Sequence, residues 1–296
     1  MPEEAHIKTE PAGNRFRQFR SVLLLPVILA IIGFCYLYGR FIEVDWIRVK
    51  HVDIPIRGLP LEFDGFTIVH LSDLHISEMG RREKKLAKMV NSVGADAIFI
   101  TGDFADTDKG LEIAASIIAQ FQSEDGIWGV LGNWDSNGTV AMSRAAGLKM
   151  LRTETDSIER GGRKLGIIGL RFDDAVPVLT TQAQREIIAD LKSRFPGDIP
   201  VIVLEHAPRI IHAAQEEGIA LVLSGHTHGG QVRIPFGPAL ETPSDMGIRY
   251  TKGLYKFKDT YLYINPGIGL EPGPDYIKVR FWCRPEITVI VLHPAK

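Results

Sequence analysis

Cysteine is nearly missing from this sequence: Cys35 and Cys283 are the two in 296 residues. That count excludes a disulfide scaffold and a thiolate zinc site. Net charge is nearly missing too, with 34 Lys and Arg against 36 Asp and Glu. No global electrostatic footprint for nucleic acid follows from that balance, and no nucleic-acid partner is expected. The low hydrophobicity that marks disorder is also absent, since 45% of residues are hydrophobic and 24% charged. The bulk of the chain can therefore close a core, and a domain approaching this length buries about three-quarters of its unfolded surface. There is no internal repeat, no Gly-x-Ser-x-Gly elbow and no phosphate-binding glycine loop, which leaves neither a serine nucleophile nor a P-loop to consider. What remains as a conspicuous minority is histidine, nine in all.

One stretch breaks the globular pattern. Residues 21–39 are 19 positions without a charge, bounded by Arg20 and Arg40. As a helix they span roughly 28 Å, close to the ~30 Å hydrocarbon core of a bilayer. No polar face runs along the stretch, which disfavours a buried core helix. Phe34-Cys35-Tyr36-Leu37-Tyr38 offers no small-residue cleavage site, which disfavours a signal peptide and leaves a retained transmembrane anchor. Lys8, Arg15, Arg17 and Arg20 precede it and Arg40, Arg48 and Lys50 follow. The small N-terminal excess leans toward a cytoplasmic N-terminus and an external, periplasmic domain. Residues 1–20, poor in apolar side chains, are expected to be a tail.

Beyond the anchor, short apolar runs alternate with helical spacing. Phe66-Thr67-Ile68-Val69-His70-Leu71 and Ala97-Ile98-Phe99-Ile100 read as buried strands, as do residues 127–131, 164–168, 200–204 and 221–224. Leu86, Met89, Val90 and Val93, then Leu111, Ala114, Ala115 and Ile118, follow i, i+3, i+4, i+7 spacing, which predicts helices; residues 182–191 also look helical. Tyr261-Leu262-Tyr263-Ile264 and Ile287-Thr288-Val289-Ile290 predict further strands. The order favours a layered α/β fold.

Five polar clusters each follow a predicted strand: Ser72-Asp73-Leu74-His75, Thr101-Gly102-Asp103, Leu131-Gly132-Asn133-Trp134-Asp135, Glu205-His206, and Ser224-Gly225-His226-Thr227-His228. Strand C-terminal ends converge on one crevice in open α/β sheets, so these side chains can meet. Any one cluster reads equally well as a turn. Together they supply seven oxygen and nitrogen donors: Asp73, His75, Asp103, Asn133, His206, His226 and His228. That is more than a single four-coordinate metal needs and enough for two divalent ions, Mn, Fe or Zn by donor chemistry, about 3.5–4 Å apart and sharing one carboxylate.

The ordered blocks resemble the signature of the calcineurin-like metallophosphoesterases, D-x-H, G-D, G-N-H-[DE], H, G-H-x-H. The resemblance extends over about residues 45–292 and includes Arg284-Pro285-Glu286-Ile287, similar to the membrane-anchored bacterial branch. It implies a four-layer α-β-β-α sandwich behind one N-terminal transmembrane helix, in a bacterial cytoplasmic membrane. It further implies that Asp73, His75 and His228 hold one metal, that Asn133, His206 and His226 hold the other, and that Asp103 bridges. Asp103, Asn133 and His226 are then the expected catalytic residues. Two cations make a bridging water acidic enough to yield hydroxide near neutrality, so no protein nucleophile is required. The expected substrates are phosphodiesters or pyrophosphates, lipid- or nucleotide-linked; the branch is similar to enzymes that split UDP-diacylglucosamine, a reaction that would need a cytoplasm-facing site.

Trp134 departs from the pattern, standing where the family has a histidine. An indole N–H donates a hydrogen bond but transfers no proton at neutral pH, which favours leaving groups that need no protonation. The alternative function is a metal-stabilised phosphate-binding module with little or no activity, Trp134 being the mark of the loss. Arg81, Arg82, Lys84, Lys85 and Lys88 form either a solvated helix face or an attraction for anionic lipid and phosphate. Residues 233–276, rich in Gly, Pro and aromatics, are expected to form loops that shape substrate choice.

Overall fold

The computed structural model describes residues 13–172, 181–244, 246–272 and 278–295, with side chains from residue 24. Residues 1–12 of the expected tail, and residues 245 and 273–277 of the expected substrate loops, lie outside them. The chain opens with helix α1 (Gly13–Phe41). Then come β1 (Arg48–Ile56), β2 (Phe66–Leu71), α2 (Arg81–Asn91), β3 (Ala97–Thr101), α3 (Asp108–Ile118), β4 (Gly126–Val130), α4 (Asn137–Ala145) and the short β5 (Lys149–Met150). The second half runs β6 (Glu154–Arg160), β7 (Arg163–Gly169), α5 (Thr181–Ser193), β8 (Val201–Leu204), α6 (Ile211–Ala214), β9 (Leu221–Ser224), β10 (Gly253–Phe257), β11 (Thr260–Ile264) and β12 (Glu286–Pro294).

Two six-stranded sheets result, ordered β1-β12-β2-β3-β4-β5 and β10-β11-β9-β8-β7-β6. Strands β2 to β5 are parallel in the first and β7, β8, β9 and β11 in the second. Because side chains alternate across a strand, each central strand feeds two cores. Phe66, Ile68, Ala97 and Phe99 meet Ile202, Leu204, Leu221 and Leu223 between the sheets. Val69, Leu71, Ile98 and Ile100 point outward under α2, α3 and α4, through Leu86, Val90, Ala114, Ile117 and Met142. Val201, Val203, Val222 and Leu262 point outward under α5 and α6, through Ile188, Leu191 and Ile211. This is the four-layer sandwich, helices outside and sheets inside.

The unbroken apolar runs of the central strands follow from burial on both faces. Strands β1 and β6 were not legible in the same way. Both sit at sheet edges, and β6 buries only Ile158 fully. Helix α4, Asn-Gly-Thr-Val-Ala-Met-Ser-Arg-Ala, is likewise too polar to announce itself.

Helix α1 stands apart from these cores. Leu24, Ile28, Ile32, Phe34 and Leu37 are exposed along it, and it is long and apolar enough to cross a membrane. Residues 13–20, assigned to the tail from their polarity, continue this helix, since residues 14–20 contain no proline or glycine to end it.

Candidate metal centre

All five polar clusters leave the C-terminal ends of parallel strands: β2, β3 and β4 in one sheet, β8 and β9 in the other. The facing sheets bring these ends together, and backbone bonds stitch the loops. Asp73 N–H donates to Gly102 O (3.0 Å), His75 N–H to Asp103 O (3.0 Å) and Gly225 N–H to His206 O (2.9 Å). Bonds between the sheets tighten this rim: His226 N–H donates to the Asp73 carboxylate at 3.1 Å, and His206 Nδ1 donates to Thr101 O at 2.7 Å.

The close approach explains the glycines. A methyl group on Gly225 would collide with Ser72 Oγ and the Asp73 carboxylate, and one on Gly132 with Asp103. It also explains strain. Asp73, His75, Asp103, His226 and His228 have φ of 48°, 40°, 57°, 67° and 49°, a left-handed backbone that non-glycine residues adopt uncommonly. Such strain persists only where the surroundings over-determine it, and it clusters at functional sites.

All seven predicted residues come together. One donor atom each from Asp73, His75, Asp103 and His228 lie within 4.8 Å of one another, and all four residues are buried. Asn133 Oδ1 lies 2.9 Å from His206 Nε2 and 3.1 Å from His226 Nδ1. The two groups meet at Asp103 Oδ2, which is 3.3 Å from both His75 Nε2 and His206 Nε2.

The polar surroundings fit a cation. His206 Nδ1 donates to the Thr101 carbonyl, so the form of the ring that can ligate a metal turns the lone pair of Nε2 toward Asn133 Oδ1 and Asp103, which also accept. His75 is held the same way: Nδ1 bonds Asp106 Oδ1 at 2.6 Å, while buried Nε2 finds no aligned hydrogen-bond partner among the described residues, Asp103 Oδ2 lying 3.3 Å away. Buried His228 Nδ1 is likewise without one. Acceptors converging on one another in a buried space call for positive charge, and an imidazole backed by a carboxylate is the usual support of a metal-ligating histidine. The same demand for positive charge shows in the titration of the rings. Burial opposes charge on His75 and His206, yet Asp103, helped at His75 by Asp106, raises them to about 9 and about 10. Burial lowers His226 to about 4 and holds His228 well below its ordinary value. Together these features make the cluster a divalent metal site.

Three residues serve the site in ways the sequence pattern did not mark. Asp106, three positions after Asp103, orients His75 and accepts from Ser77 Oγ at 3.0 Å. Asp135 was visible in its block, but its work was not: its carboxylate accepts from the N–H groups of Asp103 (2.7 Å), Gly132 (2.8 Å) and Phe104 (3.0 Å), pinning two of the clusters to each other. Phe172 sets its ring 5.4 Å from that of His206 and 5.7 Å from that of His226, forming an apolar wall that no periodicity marks. Trp134 donates its backbone N–H to Asp103 Oδ1 at 2.9 Å, while its indole is 49% exposed beside His75.

A cavity of about 580 Å³ opens next to His75 and Asp106, bordered by Arg40 and Phe41 at the end of α1, by Val44 and Asp45 just past it, and by Arg81 and Arg82. Of the basic cluster, Arg82 pairs with Glu83 at 2.7 Å and Lys85 bonds the Asp45 carbonyl, while Arg81 faces the cavity. The loop after β11 folds back on the centre, Gly269 N–H donating to Asp73 O at 2.6 Å.

Comparison with known proteins matches residues 66–230, which contain all five clusters, to the calcineurin-like phosphoesterase family. The metallophosphoesterase YkuE of Bacillus subtilis is 31% identical, over 87% of this chain and 89% of that one. A transmembrane protein with a metallophosphoesterase domain from Danio rerio is 29% identical over 96% of this chain, which spans 64% of its length. The phosphodiesterase YaeI of Escherichia coli is 27% identical over 77% of this chain and 82% of its own. The chain belongs to the calcineurin-like phosphoesterases and is a hydrolase of phosphoester bonds.

Proposed function

We propose that the protein is a membrane-anchored hydrolase of phosphodiester or pyrophosphate bonds that works with two divalent metals. Asp73, His75 and His228 hold one, Asn133, His206 and His226 hold the other, and Asp103 bridges them. The observation that carries this reading is the position of Asp103 Oδ2, at 3.3 Å from an imidazole of each group. Mn, Fe or Zn suits a donor set of carboxylate, amide and imidazole without sulfur. When bound, such a pair supplies an acidified water for in-line attack and neutralises the phosphoryl oxygens.

The chain's own residues do the positioning. Asp106 fixes His75, the Thr101 carbonyl fixes His206, and Asp135 fixes the loops that carry Asp103 and Asn133. The Trp134 N–H occupies Asp103 Oδ1 and leaves Oδ2 for the shared position. At the position of the family's histidine stands the Trp134 indole, whose N–H donates a hydrogen bond but transfers no proton to a leaving group at neutral pH. Substrates with good leaving groups, such as pyrophosphate linkages and activated diesters, are therefore favoured.

Residues 21–39 hold the domain, about residues 45–292, at the membrane. The basic residues before the anchor support an external domain. Lipid- and nucleotide-linked phosphoesters are the substrate classes, and the cavity beside His75 at the foot of α1 supports the lipid-linked one. The test is metal analysis of the purified full-length chain together with turnover of a panel: bis-p-nitrophenyl phosphate, a phosphomonoester, a dinucleoside pyrophosphate and UDP-diacylglucosamine. Two equivalents of metal and hydrolysis of the diester or pyrophosphate substrates are expected. Full turnover by Asp103→Ala would overturn the assignment.

A further inference from the structure

The end of α1 does not simply lead into the domain; it is locked to a row of aromatic side chains. Glu43, buried just past the helix, accepts the N–H groups of Trp282 (3.0 Å) and Cys283 (2.6 Å). From there the rings run in contact: Tyr38 on α1 to Phe281 at 6.3 Å, Phe281 to Trp282 at 6.4 Å, and Trp282 to Phe236 at 5.1 Å. Phe236 tips a tight turn closed by Gly237 N–H to Ile234 O (2.8 Å) and Ile234 N–H to Pro238 O (3.0 Å). Arg233 braces that turn through Gly229 O (2.9 Å), Thr251 Oγ1 (2.9 Å) and Gly237 O (3.2 Å), tying it to the segment that carries His228.

The outer rings of this face are exposed. Phe236 is 95% exposed, Trp282 44% and Trp46, just past the foot of α1, 51%. Phe236 and Trp282 both have φ of 59°, so two bulky aromatics are held outward in a left-handed backbone that disfavours them. Phe41, Ile42, Ile234 and Leu240 are exposed as well. Arg284 lies 4.1 Å over the Trp46 ring, and Arg40 stands at the last turn of α1. Exposed aromatics with neighbouring arginines form the side-chain set that settles at the headgroup level of a bilayer.

The occupant follows from continuity. Taking α1 as the anchor of the proposed function, its exposed apolar length lies in lipid, and it ends at this face. We propose that the face carrying Phe236, Trp282 and Trp46 rests on the surface of the bilayer that holds α1. The cavity beside His75, bordered by Arg40 and Phe41 of the same helix end and by Val44 just past it, then opens at the lipid surface.

Brominated-lipid quenching tests the docking. The full-length chain, reduced to a single tryptophan by Trp→Phe substitution at the other three, is reconstituted in vesicles of phosphatidylcholine and phosphatidylglycerol brominated near the headgroup end of the acyl chains. Trp282-only and Trp46-only chains are expected to lose most of their emission to bromolipid and to resist aqueous iodide. The Trp128-only chain, buried between the sheets, is expected to respond to neither, which verifies the fold. Phe236→Asp in the Trp282-only chain is expected to weaken the bromolipid quenching while leaving hydrolysis of soluble bis-p-nitrophenyl phosphate unchanged. A chain that floats with the vesicles but keeps Trp282 open to iodide overturns the docking and leaves the anchor standing. Shielding from both quenchers also overturns it, by assigning the face to a protein contact. A chain that does not float overturns the anchor itself.

Discussion

Asp106 is the sharpest test of whether the buried cluster binds metal, because it touches none of the expected ligand positions except through His75. Its Oδ1 accepts from His75 Nδ1 at 2.6 Å and its Oδ2 from Ser77 Oγ at 3.0 Å. In the metal-ligating form of the ring, the carboxylate keeps the imidazole proton on Nδ1 and leaves the Nε2 lone pair for the cation. Asp106→Ala frees the ring to rotate and to move its proton to Nε2, where it blocks a cation. A hydrogen bond to a charged group contributes about 1.5–3 kcal/mol, more than most neutral ones. Loss of a carboxylate behind a ligating histidine typically costs about 10–100-fold in metal affinity, roughly 1.4–2.7 kcal/mol. The two magnitudes agree. Asp106→Asn keeps an acceptor but loses the charge, so it falls between the wild type and the alanine variant. The assay is competition for Mn²⁺ against a chromogenic chelator, with the detergent-solubilised full-length chain, followed by kcat at saturating metal. Weakened binding with kcat largely restored by excess metal is expected. A folded Asp106→Ala protein with wild-type metal affinity would refute the reasoning.

Metal itself provides a second check: adding Mn²⁺ at about 100 times its Kd stabilises the fold by roughly 2.7 kcal/mol, which is seen as a rise in Tm. Asp103→Ala abolishes that rise; an equal rise in both proteins would place the ion elsewhere. Trp134→His returns a proton donor beside Asp103. Since general acid catalysis contributes about 10²–10⁴-fold, hydrolysis of an alkyl diester is expected to rise at least to the low end of that range, with p-nitrophenyl esters little changed. Equal effects on the two substrates would show that position 134 does not meet the leaving group. His70, buried and bonded to Thr101 Oγ1 at 2.9 Å, has its pKa driven down to about 3 by burial. The folded protein then stays unprotonated there while the unfolded chain takes up a proton below about pH 6.5, so stability falls as pH drops from there toward 3, by up to ~1.4 kcal/mol per pH unit. His70→Gln removes this share; an unchanged pH slope in thermal unfolding would contradict it.

Much of the fold was legible because the central strands are buried on both faces. Uninterrupted runs such as Ile68-Val69-His70-Leu71 and Val201-Ile202-Val203-Leu204 have no other use in a sandwich. The edge strand β6 and the polar helix α4 were not legible, since a single buried side chain or a broken apolar stripe leaves no period to read. The site divides similarly. Its seven donors sit in strand-following blocks whose order is visible in one dimension. Asp106 and Phe172 are separated from their imidazole partners by tens of residues, and nothing local distinguishes them from an ordinary turn acid or loop aromatic.

By itself, then, the sequence determined which side chains follow which strands, that these carry oxygen and nitrogen donors without thiolate, and that one stretch is long and apolar enough to cross a membrane. Those properties depend on residue type and on spacing within a few positions. Tertiary structure alone decided that Asp103 stands between two imidazole groups, that Asp106 backs His75, and that Phe236 and Trp282 line up with the foot of α1. Each is a distance between segments remote along the chain, set by how two twisted sheets pack face to face, and no local periodicity encodes it.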